Sequence, residues 1–157
     1  MIDWYYQGLL FAILLVASWF DIKSRIVPNQ LVLVGLIAGI LINAWVNTPG
    51  RFSFCFYGFL IGFGIMVVPY ALNWLGAGDV KLFAVVGLFL GPEKIIDAAI
   101  LTAFCGGLLA LYYLIKMKTI KVPKDPLMPS IKQPGLPYVL AIFGGTLLTI
   151  IFSDKLV

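Results

Sequence analysis

Apolar residues fill this chain in long blocks, and polar residues are confined to short breaks between them. Charge-free stretches cover residues 4–20, 29–46, 52–75, 98–115 and 133–153. Each is long enough, or nearly so, to cross about 30 Å of hydrocarbon as a helix rising about 1.5 Å per residue. A sixth piece, residues 80–90, is too short to cross alone. With Asp79 it rises only about 18 Å, so it must begin below the membrane surface or be helped by its neighbours. The breaks DIKSRIVPN, NTPGR, GAGDVK, GPEKIID and KMKTIKVPKDPLMPSIKQPG all contain glycine, proline or charge. The pattern predicts an all-α polytopic membrane fold with six transmembrane helices and five connections.

Composition strengthens that picture, because 62% of the 157 residues are hydrophobic and only 11% are charged. One small interior cannot bury so much apolar surface, so lipid must solvate most of it. Counting cations on alternate sides groups Lys23, Arg25, Lys81, Lys116, Lys118, Lys121, Lys124 and Lys132 against Arg51, Lys94 and Lys155. The larger group is expected in the cytoplasm, with both termini outside. The start, MIDWYYQ, has no basic n-region and no small-residue cleavage site follows, so residues 4–20 are expected to persist as the first span. The expected organisation is a single transmembrane domain over residues 1–157, with residues 116–134 forming a basic, proline-rich cytoplasmic loop near anionic lipid. No nucleic-acid partner is expected.

The residue inventory narrows the chemistry. The chain has no histidine, which removes Ser-His and Cys-His catalysis and most transition-metal sites. Cys55 and Cys105 lie in separate apolar segments without CxxC spacing and read as small buried residues. Of the seven carboxylates, Asp3, Glu93, Asp97 and Asp154 fall at the outer face, where water and headgroups account for them, and Asp125 lies among lysines in the long loop.

Asp21 and Asp79 differ. One ends the first apolar span and the other starts the short fourth segment, both at the cytoplasmic end and at matching depth. An ionisable group inside the hydrocarbon boundary is costly unless paired or hydrated, which makes it a functional candidate. Taken singly, Asp21 reads equally as an interfacial residue neutralised by Lys23 or Arg25. Asp79 reads equally as a helix N-cap whose carboxylate meets the first-turn amides. As a pair, with Gly76 and Gly78 allowing a sharp bend and close approach of an extended peptide, they suit proteolysis. Two neighbouring carboxylates cannot readily both ionise and so share a proton. The charged member can take a proton from attacking water while the protonated one donates to the developing oxyanion. No cofactor or metal is required.

The block GAGDVKLFAVVGLFLG, residues 76–91, resembles the GxGD motif of the type IV prepilin peptidases, and DIKSRIVPN resembles their second signature, an Asp followed seven residues later by Pro and then Asn or Asp. The resemblance implies a GxGD aspartyl protease with Asp21 and Asp79 as its catalytic pair. Gly76, Gly78 and Lys81 would support the active-site loop. The implied substrate is a prepilin or pseudopilin precursor, cut at the cytoplasmic face of a prokaryotic inner membrane. Bifunctional members also methylate the new N-terminus and carry an insertion with paired CxxC motifs. This sequence has neither, so cleavage without methylation is expected, as in compact Tad-type or archaeal-type enzymes. In GLPYVLAIF, Val139 stands where the family often has glycine, so Pro137 and Tyr138 match the substrate-facing segment only in part; a helix-entry proline reads equally well there.

Two other classes compete. A small ion or proton transporter using Asp21 and Asp79 would want polar groups deep in mid-span, where this chain carries mainly Gly, Ala, Leu, Ile and aromatics, with Thr102 and Cys105 as exceptions. A non-enzymatic scaffold would pack through Gly35, Gly39, Gly58, Gly62 and Gly106, residues suited to close helix contact under any function.

Overall fold

A computed structural model of the chain describes residues 3–24, 27–45, 50–119 and 138–153. They form α1 (Asp3–Ser24), α2 (Asn29–Trp45), α3 (Arg51–Ala71), α4 (Ala77–Thr119) and α5 (Tyr138–Ser153). Among the described residues there is no strand. Among them, three helices are long and apolar enough to cross a membrane, within Gln7–Ser24, Arg51–Ala71 and Ala77–Lys116, and α2 and α5 are shorter apolar helices.

The predicted fourth and fifth segments both fall in α4, and GPEKIID, expected as a connection, is largely helical. The break is a single residue, Gly91, at φ 80° and ψ 177°. Its effect is large. The Phe83 carbonyl oxygen and Ile95 Cγ1 lie 3.0 and 3.2 Å from the point a Cβ on Gly62 would occupy, whereas twelve residues of straight helix would hold them about 18 Å apart. The chain therefore doubles back at Gly91, and both limbs of α4 pack on α3. A positive φ suits glycine and strains other residues. Pro92 opens the second limb, where its missing N–H leaves no helical bond unmade. The expected loop at 116–134 also begins later, since α4 continues to Thr119; the rest of that loop lies outside the described residues.

The first limb of α4 is the centre of the protein. Val80, Leu82, Phe83, Ala84, Val85, Val86 and Leu88 are all buried, so the limb is apolar all round, as a central helix must be. Leu10, Leu14 and Ala17 of α1 and Val139 and Ile142 of α5 complete the interior, while Leu41, Phe104, Leu114 and many other large apolar side chains point outward. That outward display is the surface of a protein whose solvent is lipid. Gly35, Gly39, Gly58, Gly62 and Gly106 each have an atom of another element against the place a Cβ would take. At the tightest of these contacts, Gly58 and Gly87 bring the α3 and α4 backbones together so closely that a Cβ on either would meet the other's carbonyl oxygen.

A buried polar knot joins α2, α3 and α4. The Asn43 amide donates to the Gly39 carbonyl at 2.7 Å and the Leu88 carbonyl at 3.5 Å. Its Oδ1 accepts from Arg51 Nε at 3.4 Å and from Cys55 Sγ at 3.0 Å. Buried Ser18, Thr146 and Thr149 join Thr102 as polar groups within the helices, more than the sequence reading allowed for.

Candidate active site

Helix α1 continues past Phe20 to Ser24, so Asp21 sits inside the last turns of the helix and not at its end. This is the end where the helix dipole disfavours a carboxylate. The compensation comes from α5. The Val139 N–H, second in that helix, donates to Asp21 Oδ2 at 3.2 Å. First-turn amides have no acceptor within their own helix, so the bond completes both elements at once. Asp21 is only 5% exposed. Val139 itself is fully buried in the core, which explains how a valine serves here: its side chain points into packing while its amide meets the carboxylate.

Asp79 is the third residue of α4, not the N-cap that is one of its two readings from sequence, and its Oδ2 accepts the Gly76 N–H at 3.1 Å. The carboxylate reaches back to the residue before the helix, as the acidic member of a capping box does. An acid in the first turn is also favoured by the dipole.

The bend leading into this helix is not made by the glycines. The left-handed residue is Asn73, at φ 60°. The Asn73 N–H donates to the Tyr70 carbonyl at 2.9 Å and the Trp74 N–H to the Pro69 carbonyl at 3.0 Å. This pair of bonds closes the end of α3 in a Schellman arrangement with Asn in the place usually held by glycine. Gly78 has a different use: a Cβ there would stand 3.0 Å from Val27 Cβ. Its bareness lets the segment following Asp21 lie against the first turn of α4. Lys81 makes a second link, donating from Nζ to Asn29 Oδ1 at 3.1 Å.

Asp21 and Asp79 line one cavity of about 910 Å³. Tyr138 borders it, and the second limb of α4 contributes a wall of small residues that includes Ala99, Ala103 and Gly106. Asp79 is within electrostatic reach of both Asp21 and Tyr138. Of the residues singled out from sequence, Asp21, Asp79, Gly76, Gly78 and Tyr138 meet at this cavity. Lys81 does not line this cavity and bonds Asn29 instead, and Pro137 lies outside the described residues. Sequence reasoning missed Val27, Asn73 and the Val139 amide. An Asn just after an apolar helical run is a recognisable stop signal, but nothing in the sequence marks the other two.

An apolar helical bundle that gathers two carboxylates from separate helices into one cavity defines a membrane protein with the parts of an acid–base site. The chain belongs to the type IV leader peptidase family, whose profile matches residues 8–111. It is 26% identical over 148 residues to the prepilin leader peptidase/N-methyltransferase of Bacillus subtilis (strain 168), covering 93% of this chain and 55% of that protein. It is 27% identical over 157 residues to the type 4 prepilin-like proteins leader peptide-processing enzyme of Escherichia coli O78:H11 (strain H10407 / ETEC), covering 89% and 56%. The chain thus spans about half the length of the curated relatives it matches. No solved structure matches it significantly. The family match contains both aspartates and ends before α5, so Tyr138 and the Val139 amide lie beyond it.

Proposed function

We propose that the chain is a membrane aspartyl endopeptidase that removes the leader peptide of type IV pilin-like precursors at the cytoplasmic membrane face, without methylating the product. The observation that carries this reading is the meeting of Asp21 and Asp79 in one cavity of a leader-peptidase family member. Asp21 and Asp79 are the catalytic pair. Sharing a proton, they supply a base for the attacking water and an acid for the carbonyl oxygen. Water adds to the scissile carbonyl, and collapse of the tetrahedral intermediate with proton return to the amine releases leader and mature chain.

The apolar cavity beside the pair would admit an unwound stretch of substrate, with Tyr138 facing the peptide. The Val139 amide would hold Asp21 oriented through turnover. The eight-to-three distribution of cations supports a cytoplasmic site with both termini outside, and the absence of any CxxC pair in the sequence supports peptidase activity alone. On this reading residues 1–157 act as one transmembrane peptidase domain.

The test is incubation of the purified protein in liposomes with a candidate pilin precursor and a methyl donor, followed by mass analysis of the product. We expect loss of the leader with an unmodified new N-terminus. An uncut precursor would refute the peptidase assignment, and a methylated product would refute the second half of the proposal.

A further inference from the structure

Asp21 and Asp79 lie on helices that touch little directly: α4 packs mainly on α3 and α5, and α1 mainly on α5. The separation of the two carboxylates is therefore set by α5, which packs on both helices, together with the segment that follows Asp21. The segment after Asp21 returns to α4 at two points. Val27 lies against Gly78, with its Cβ 3.0 Å and its carbonyl oxygen 3.6 Å from the place a Cβ would take. Two residues further on, Asn29 Oδ1 accepts a hydrogen bond from Lys81 Nζ at 3.1 Å. Positions 78 and 81 bracket Asp79. Asn29 is itself well fixed, because the Leu31 and Val32 amides both donate to the Pro28 carbonyl and so anchor the start of α2 beside it.

We propose that Asn29 and Lys81 are positioning residues: their hydrogen bond, beside the Val27–Gly78 contact, clasps the Asp21 segment to the first turn of α4 and fixes the separation of the two carboxylates. The proposal rests on the reading of those carboxylates as the catalytic pair. Neither residue touches the reacting atoms. The bond is exposed, and exposed polar pairs contribute little to global stability, so breaking it leaves the fold intact. Its effect falls on geometry, where a shift of about 1 Å can cost about a hundredfold in rate. An aspartate at position 29 would keep an acceptor facing Lys81 and turn the bond into an ion pair.

The test combines kinetics with a distance measurement in lipid. Asn29→Ala and Lys81→Ala should each lower kcat about tenfold with KM within about twofold. The double variant should be no worse than the poorer single one, as expected for partners in one bond, and Asn29→Asp should retain most of the native rate. Independently, thiol cross-linkers of graded length applied to Asp21→Cys/Asp79→Cys, with Cys55→Ala and Cys105→Ala, should show a defined optimal length that broadens when Asn29→Ala is added. Additive losses in the double variant, failure of Asn29→Asp to rescue, or an unchanged cross-linking profile would each overturn the clasp. If the native protein cut no precursor, the peptidase reading would fail while the cross-linking still decided the clasp.

Discussion

One methyl group at position 78 perturbs the spacing of the two carboxylates by a calculable amount. In Gly78→Ala the added carbon would stand 3.0 Å from Val27 Cβ, whereas carbon atoms in contact settle at about 3.5–4.0 Å. Val27 and the first turn of α4 must therefore give by a few tenths of an ångström. The cost of that overpacking, about 1 kcal/mol or slightly more, opposes a helix-propensity gain of up to about 1 kcal/mol on replacing glycine. Net stability should change by less than about 1 kcal/mol. The rate should not be so protected: with about a hundredfold lost per 1 Å, a displacement of a few tenths is expected to lower kcat by about three- to tenfold. Thermal unfolding of the purified protein in detergent, run beside cleavage kinetics in liposomes, separates the two effects. A Gly78→Ala protein that unfolds normally and cleaves at the native rate would refute the argument, since it would mean that Val27 yields freely and the contact sets nothing.

Val139→Pro deletes an N–H that donates to Asp21, at a first-turn position where the helix itself has no use for that donor. Loss of a hydrogen bond to a charged group, worth about 1.5–3 kcal/mol, should reduce cleavage by about 10- to 100-fold, read as kcat/KM, with α-helical circular dichroism maintained. Gly87→Ala places a Cβ on the Gly58 carbonyl oxygen of α3, and should destabilise the protein by about 1–3 kcal/mol, measured as a lowered unfolding temperature. Asn43→Leu strips Arg51, Cys55 and the Leu88 carbonyl of a shared partner and should cost about 1–3 kcal/mol. Leu88 is nine residues along α4 from Asp79, about 13 Å, so cleavage by the surviving folded fraction should be unchanged.

How much of this was legible beforehand depends on whether the signal is local. The apolar blocks and their polar breaks predicted the helices because burial in lipid demands uninterrupted apolar length, and Asp21 and Asp79 stood out because carboxylates at span ends are costly. The join across residues 91–97 differs from its sequence signal: Gly, Pro and charge suggest a loop, while a single Gly91 at positive φ reverses the chain between two helical limbs. The glycines before Asp79 suggest a bend that Asn73 makes, because both residue types tolerate that conformation and sequence alone does not say which one adopts it. The Val139 amide could not have been foreseen. A backbone donor is present at every non-proline position, and only the docking of α5 against α1 selects this one.

On the proposed function, Asp21 and Asp79 act together on a peptide bond. This is tested most directly by comparing the native protein with Asp21→Asn and Asp79→Asn in cleavage of a pilin precursor in liposomes. Both substitutions keep an oxygen acceptor, for the Val139 and Gly76 amides respectively, so the fold should survive and precursor should still bind. We expect each variant to lose cleavage by at least about a thousandfold, with the double variant no worse than either, as for residues that work as a unit. Native-like cleavage by either single variant would contradict the shared-proton pair and with it the mechanism.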